Sequence, residues 1–251
     1  MEQDREIDPN WYAESFGELY SLIYAHRSVE AARDEVRFAA EAVKLQPTDR
    51  VLDLACGGGR HMTHLHPNVD FLVGLDYSST LLAMAQRERG ESFRLVRADM
   101  RAVPFVAAFD VVFNFFTSFG YFRHEDENRM TVQSVARSLR SEGRFFIDYI
   151  NPDAVRRGLE PHSVRKAGLY TVDDTRWIDD NEGRINKRTR VSRENRYVAT
   201  FEESVRLYAP EEFEQLLLQG GLRIERFYGD FSGADLSPDS QRMIAVGHKT
   251  G

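Results

Sequence analysis

Three aspartates and a run of glycines are the residues whose types and spacing suggest chemistry. Val51 to His61 reads VLDLACGGGRH, an apolar run that contains Asp53 and ends in Gly57, Gly58 and Gly59. Asp76 follows in FLVGLDYS, and Asp99 in FRLVRADM. Glycines remove side chains where backbone turns sharply or touches a ligand. A glycine-rich turn that enters a helix commonly cradles phosphate. Two features oppose that use here. The dinucleotide spacing needs a glycine where Met62 stands, and no Gly-Lys-Ser/Thr element occurs. An aspartate just before the turn would also repel a pyrophosphate. Carboxylates suit hydroxyls, amines and positive charge instead. Asp76 lies 23 residues after Asp53, a spacing at which a carboxylate can accept both hydroxyls of a ribose. Asp99 can accept from an exocyclic adenine amine, and Asp53 can hold an ammonium group.

These residues need a frame. The runs VLDLAC, FLVGLDYS (71–78), FRLVRADM (93–100), FDVVFNFF (109–116) and RFFIDYIN (144–151) alternate with amphipathic segments such as TLLAMAQRER (80–89) and DENRMTVQSVARSLR (126–140). That alternation predicts a parallel sheet covered on both faces. Strands three and four are joined by VPFVAA, which leaves little room for a helix. Residues 152–209 are polar and irregular, and RINKRTRVSREN and RYVATFEESVRLYA read as antiparallel strands. Their arginines and lysines are interspersed with acids and read as a solvated surface, with a site for an anionic substrate as the alternative. Pro210 opens the helix PEEFEQLLLQ, which Gly220 and Gly221 close. LRIERFYG (222–229) and RMIAVGHK (242–249) lack a helix between them and should be antiparallel neighbours. Trp11 to Leu45 reads as helix, with Tyr12, Phe16, Leu19, Tyr20, Ile23 and Tyr24 forming an aromatic-rich stripe. The stripe either packs on the core or forms a lid whose tyrosines, with His26 or Arg27, close over a ligand; Tyr20 is its candidate cofactor contact.

The expected fold class is therefore α/β: a Rossmann-like, seven-stranded, mostly parallel sheet with helices on both faces. Its last two strands form an antiparallel pair, and an antiparallel β insertion separates strands five and six. The expected segments are an N-terminal helical lid (1–49), a cofactor-binding domain (50–151 and 210–251) and an insertion (152–209). The insertion would cover the acceptor site or meet a second copy in a homodimer. In an open parallel sheet, ligands bind beyond the carboxyl ends of the strands. Those ends carry Cys56 to Gly59, Asp76 and Asp99. Ribose, adenine, amine and cation together describe S-adenosylmethionine.

The motifs V-L-D-L-A-C-G-G-G-R-H, G-L-D-Y-S, A-D-M-R and F-N-F-F-T-S-F-G-Y-F resemble those of class I S-adenosylmethionine-dependent methyltransferases over nearly the whole chain. The resemblance implies that Asp53, Ala55, Gly57 and Gly59 line the methionine end of the cofactor. It implies that Asp76 takes the ribose hydroxyls, that Tyr77 packs beside the adenine, and that Asp99 and Met100 bracket it. Phe115 and Phe116 would lie by the reactive centre, and S-adenosylhomocysteine would be the product. The sequence is further similar to small-molecule N-methyltransferases of the amino-sugar and glycine/sarcosine types. A-C-G-x-G-x-H, A-D-M-R, T-S-F-G and E-E-S-V-R-L-Y fit the amino-sugar group. That group tends to carry a histidine where Tyr121 stands, so the resemblance assigns no proton acceptor.

Methyl transfer from a sulfonium is a displacement on an activated carbon, and orientation is the main demand. An amine with a free lone pair needs little more, whereas a hydroxyl usually needs a base or a metal. The Asn/Asp-Pro-Pro-Tyr/Phe element of nucleobase and glutamine enzymes is absent, as is a Pro-Cys nucleophile. Tyr121, His124, Tyr149 and Asn151 lie past the ends of strands four and five and are expected to face the acceptor. Tyr121 and His124 are the candidate catalytic side chains. His61, His64 and His66 lack a carboxylate at ligand spacing, so no metal is expected. The expectation is methyl transfer to a nitrogen or oxygen of a small molecule. A non-catalytic homologue that binds the cofactor is the alternative, and a nicotinamide-dependent oxidoreductase is disfavoured by Met62. The net charge of -7 argues against a nucleic-acid partner. No apolar run approaches the ~18–20 residues of a membrane span. The acidic start does not read as a signal peptide. The lone Cys56 forms no internal disulfide. A cytoplasmic location is the resulting expectation.

Overall fold

Near-continuous apolar strands build a sheet that is buried on both faces. In the computed structural model, which describes residues 6–24, 29–89 and 93–251, the chain forms two sheets. The strands are β1 (Arg50–Leu54), β2 (Phe71–Asp76), β3 (Arg94–Arg97), β4 (Phe109–Asn114), β5 (Leu139–Ile150), β6 (His162–Ala167), β7 (Tyr170–Asp179), β8 (Arg184–Arg193), β9 (Arg196–Arg206), β10 (Leu222–Tyr228) and β11 (Arg242–Lys249). The larger sheet has the order β10-β11-β5-β4-β1-β2-β3, and the smaller is the meander β6-β7-β8-β9. In the larger sheet β1 to β5 run parallel, while β11 is antiparallel to both β5 and β10. This is the expected architecture, with its antiparallel edge pair and its β insertion between β5 and β10.

Successive strand residues point to opposite faces, and the two cores follow that alternation. Leu52, Leu54, Val112, Phe145 and Met243 face one core, which the helix Glu125–Ser138 covers; Val51, Val111, Phe113, Phe146 and Ile244 face the other. The chain leaves β1 in one direction through β2 to β3 and in the other through β4 to β5. The switch point therefore lies between the carboxyl ends of β1 and β4. Asn114, the last residue of β4, donates across that gap to the Leu54 carbonyl at 3.0 Å.

The helices are α1 (Tyr12–Ser15), α2 (Glu18–Ile23), α3 (Ala31–Ala42), α4 (Met62–Leu65), α5 (Ser79–Arg89), α6 (Glu125–Ser138), α7 (Pro152–Gly158) and α8 (Pro210–Gln219). Among the described residues none is long and apolar enough to cross a membrane. The stretch read as a single helix over 11–45 is broken. Phe16 leaves helical geometry at φ -99° and ψ 52°, and Gly17 follows. The break has a tertiary cause. The Ser15 hydroxyl donates to the Glu202 carbonyl of β9 at 2.7 Å, and the Ser78 hydroxyl, after β2, donates to the Phe16 carbonyl at 2.7 Å. The aromatic segment is thus strapped between the two sheets. Ile23 and Tyr24 pack on Val172 and Val191 of the smaller sheet. His26 and Arg27 lie outside the described residues.

Buried Arg184 of β8 joins the smaller sheet to the turn after β4. Its guanidinium donates to the carbonyls of Gly120, Tyr121 and Phe122 and to the Ser204 hydroxyl. On the opposite side, Gly74 of β2 lets the glycine turn lie close. A Cβ there would stand 2.4 Å from Met62 Sδ and 2.8 Å from Cys56 Sγ. Gly74→Ala should therefore cost roughly 1–3 kcal/mol through overpacking, read as a lower urea midpoint; an unchanged midpoint would show that the turn yields.

Candidate active site

The glycine turn is shaped by backbone conformation first. Ala55, Gly57 and Gly59 take left-handed φ values of 59°, 54° and 77°. A Cβ on Gly59 would approach Phe93 Cε2 to 3.0 Å, whereas one on Gly58 would meet nothing within 4 Å. Gly57 and Gly59 therefore serve the turn, and Gly58 borders open space. Asp76 fixes the turn from the end of β2. Its Oδ2 accepts from Gly57 N and its Oδ1 from Ser78 N, both at 2.8 Å. The Tyr77 N–H also bonds this carboxylate, which keeps lone-pair capacity beyond these three bonds. Asp53 lies buried beneath, and among the described residues its Oδ2 has no hydrogen-bond partner. Burial, together with the neighbouring Asp76, raises the Asp53 carboxyl to about 8.

A cleft runs over this turn. One end is lined by Asp76, Tyr77, Ala98, Asp99 and Met100, under a roof of Tyr12, Phe16 and Tyr121. The other end is lined by Cys56, Gly58, Arg60, His61 and Phe115. Both ends share Tyr20, Ala55, Gly57 and Phe116. Asp99 is less free than its position in sequence suggested. It caps the turn Met100–Ala102, and both its oxygens accept from the Arg101 guanidinium. Arg101 in turn bonds Glu127 of α6. His61 stacks on Phe115 with centroids 4.1 Å apart, and its Nε2 pairs with Glu35 Oε2 at 2.7 Å. Burial lowers the His61 pKa, so the ring is held neutral.

Phe116 and Thr117 carry consecutive left-handed φ values of 63° and 57°. Each costs roughly 1–2 kcal/mol in a residue with a side chain, so the turn needs support. Asp148, buried in β5, supplies it. Its Oδ2 accepts from Phe116 N and its carbonyl from Thr117 N, both at 2.8 Å. Its Oδ1 accepts from Arg242 Nε at 2.7 Å, and Arg242 also donates to Thr117 Oγ1. The Phe116 ring lies near both the Arg60 and the Arg242 guanidinium groups, 5.4 and 5.9 Å from its centroid. Beyond Phe116 and Tyr20 a second cavity of about 370 Å³ opens between the two sheets. Arg165, Arg176, Lys187, Arg242, Asp174 and Glu203 line it. The basic residues of β6 to β8 were read as a solvated surface. Three of them face this cavity instead, because the smaller sheet folds back over the turn.

The predicted acceptor side chains fare differently. Tyr121 does line both the cleft and the second cavity. It is packed edge-on against Trp11 at 4.9 Å and stacked with Phe16 at 6.0 Å. Burial pushes its hydroxyl well above the ordinary tyrosine range, which keeps it protonated. His124 is exposed at the N-cap of α6 and lines neither the cleft nor the second cavity. Tyr149 is fully buried, and its hydroxyl donates to the Arg206 carbonyl. Asn151 caps α7 and donates to the carbonyls of Ser237 and Ser240. Both are structural. The three histidines go to separate partners: His61 to Glu35, His64 to the Val29 carbonyl, and His66 beside Phe93. Sequence reasoning missed Glu35, Arg101, Asp148, Glu203 and Arg242. Asp148 had the signal already used for Asp53, an acid inside an apolar strand.

Residues 51–143 match the family described as a methyltransferase domain. A dTDP-3-amino-3,6-dideoxy-α-D-glucopyranose N,N-dimethyltransferase of Streptomyces fradiae is 27% identical over 232 residues, covering 90% of each chain. The chain is an S-adenosylmethionine-dependent methyltransferase. Among solved structures, the CcbJ methyltransferase of Streptomyces caelestis superposes with a TM-score of 0.80 at 18% identity, over 95% of this chain and 99% of that one. S-adenosylmethionine-bound CalS10 of Micromonospora echinaspora, an amino pentose methyltransferase, gives 0.68 at 20% identity, over 93% and 97%. At these identities the likeness is one of fold. The donor set of this methyltransferase fits its cofactor: a buried carboxylate with an orphaned oxygen, a second with spare lone pairs, and an open glycine wall.

Two outcomes follow from the charged groups. Asp53 binds a proton in the folded chain up to about 8, whereas the unfolded residue releases it near pH ~3.9. Its contribution therefore favours folding at low pH and is lost as pH rises through that window. The stability gained by Asp53→Asn should grow from pH 4 to pH 8 and level off above, in denaturant titrations without cofactor. A constant difference would contradict the raised pKa. Arg242→Met should destabilise by roughly 3–5 kcal/mol, since it leaves Asp148 buried and unpaired. Most of that loss should return in the Arg242→Met/Asp148→Asn double variant.

Proposed function

We propose that the enzyme methylates an amino nitrogen of a small acceptor that also carries an anionic group, and that a nucleotide-linked amino sugar is the fitting class. The observation that carries this reading is the second cavity. Four cationic and two anionic side chains line it, and it meets the cofactor cleft at Tyr20 and Phe116. Because these cations sit inside a cavity, they suit a small anionic compound better than a nucleic-acid backbone. Nitrogen is favoured over oxygen because Tyr121 stays protonated and His124 stands outside. A hydroxyl would need a base that neither supplies, whereas an amine brings its own lone pair. The N,N-dimethyltransferase relative supports the same choice.

S-adenosylmethionine, when bound, supplies a methyl group activated by a sulfonium. The chain's residues then have these roles. Asp76 receives the ribose hydroxyls through its spare lone pairs. Asp53 holds the ammonium end from beneath the glycine turn, where Ala55, Gly57 and Gly59 keep the backbone close. Tyr77, Asp99 and Met100 border the adenine, with Arg101 holding the Asp99 carboxylate in place. Phe115 and Phe116 wall the transfer point, and the aromatic faces favour a cation there. Tyr20 closes the cleft from the N-terminal segment, which serves as its lid, and the smaller sheet covers the acceptor.

The test is turnover. The enzyme, given S-adenosylmethionine and dTDP-3-amino-3,6-dideoxy-α-D-glucopyranose, should yield a sugar nucleotide heavier by one or two methyl groups. Absence of product across a panel of nucleotide-linked amino sugars would overturn the acceptor class. Asp76→Ala should weaken S-adenosylhomocysteine binding by roughly 1.5–3 kcal/mol, as for a lost charged hydrogen bond. Titration calorimetry showing unchanged affinity would remove that role.

A further inference from the structure

The two carboxylates in the second cavity are unlike one another. Asp174 is fully engaged: Oδ1 accepts from Thr189 at 2.6 Å and Oδ2 from Arg176 at 2.9 Å. Glu203 is held by one oxygen. The Tyr24 hydroxyl and the Lys187 ammonium, the latter at 3.0 Å, both converge on its Oε1. Among the described residues no hydrogen bond is made to Oε2. Lys187 also donates to the Tyr24 hydroxyl, which closes a three-membered network. The carboxylate is thus fixed on one side and open on the other. It also stands near the transfer point. Tyr24 lines both the cofactor cleft and the second cavity, and its ring lies 4.5 Å from that of Tyr20, which borders both.

We propose that Glu203 receives the acceptor's amino group, accepting its N–H bonds through Oε2 so that the nitrogen lone pair faces the methyl donor. This inference rests on the nitrogen-acceptor reading above. The lone pair forms the new N–C bond, the C–S bond breaks, and its electron pair stays with sulfur. Positive charge passes from sulfur to nitrogen. A carboxylate oriented beforehand offsets the charge arriving on nitrogen without reorganising, and the surplus N–H proton leaves to water through the cavity. Tyr24 and Lys187 are positioning residues, because they act through Glu203. The arrangement explains how the site works without a histidine at position 121. It also assigns a specificity: a neutral primary amine offers two N–H donors to the carboxylate and still has its lone pair, whereas a hydroxyl in its place offers one O–H.

The experiment compares two probes on protein saturated with S-adenosylhomocysteine: dTDP-3-amino-3,6-dideoxy-α-D-glucopyranose and its 3-hydroxy counterpart. Wild-type protein should prefer the amino compound by roughly 10- to 100-fold, the range of a charge-assisted hydrogen bond. Glu203→Gln should bring that preference to within about twofold and lower kcat at least tenfold. Its S-adenosylhomocysteine affinity should stay unchanged, which reports an intact fold. Glu203→Asp, which keeps the charge, should recover part of the preference. A Glu203→Gln variant that retains both preference and kcat overturns the role of Glu203 while leaving the acceptor class standing. Wild-type protein that binds neither compound overturns the acceptor class itself, and the role with it.

Discussion

One buried carboxylate, Asp148, is the constraint on which the arrangement of the site depends. It lies in β5, with its neighbours apolar, and a lone charge there would be costly. Every acceptor it presents is used to link elements distant in sequence: the turn after β4 through two backbone N–H groups, and β11 through Arg242. The same bonds hold Phe116 and Thr117 in a backbone conformation that neither would choose alone. Phe116, like Tyr20, is shared by both ends of the cleft and by the second cavity. The antiparallel edge strand, which would otherwise be a distal feature of the sheet, is thereby coupled to the transfer point.

The cofactor side follows a different electrostatic logic. Burial raises the cost of charging both Asp53 and Asp76, and the neighbouring Asp76 raises that of Asp53 further. Asp76 offsets part of that cost with backbone hydrogen bonds, while Asp53 Oδ2 has none. An uncompensated acid at a strand end is a poor choice for stability alone. It is a good choice for a pocket whose ligand brings cationic charge and hydroxyl donors. The turn that would suit a phosphate in other doubly wound sheets is here turned to the opposite charge by residues in the preceding strand and at the end of its neighbour.

Much of this was legible in the chain. Apolar strands alternating with amphipathic segments specified the parallel sheet, and the missing helix between the last two strands specified the antiparallel pair. The strand-end aspartates pointed to the cleft, because the carboxyl edge of such a sheet is a geometric consequence of its topology. What was not legible came from contacts between segments far apart. The break at Phe16 depends on Ser78 and Glu202, which local periodicity cannot register. His124 and Asn151 follow strand ends, as site residues do, yet both serve as helix caps. Tyr121 reaches the site but is half-buried against Trp11 and Phe16, which holds its hydroxyl protonated. The basic residues of the smaller sheet alternate with acids in sequence. Only the folding of that sheet over the β4 turn separates those facing the cavity from those facing water.

The division of labour across the site follows from the reaction type. A sulfonium already activates the carbon to be transferred, so the protein need not supply a strong nucleophile or base; it must orient two ligands and accommodate a charge that moves between them. Orientation is a property of surfaces, and the surfaces here come from three regions: the N-terminal aromatic segment, the strained turn after β4 and the inner face of β7 to β9. None of the three is a site by itself. Arg184 fixes the smaller sheet to the turn, Ser15 and Ser78 strap the aromatic segment between the two, and Asp148 sets the turn against the larger sheet. The polar residues that decide geometry are therefore mostly those that touch backbone rather than ligand. For that reason a search for a catalytic signature in the sequence finds the cofactor cleft readily and the acceptor cavity hardly at all.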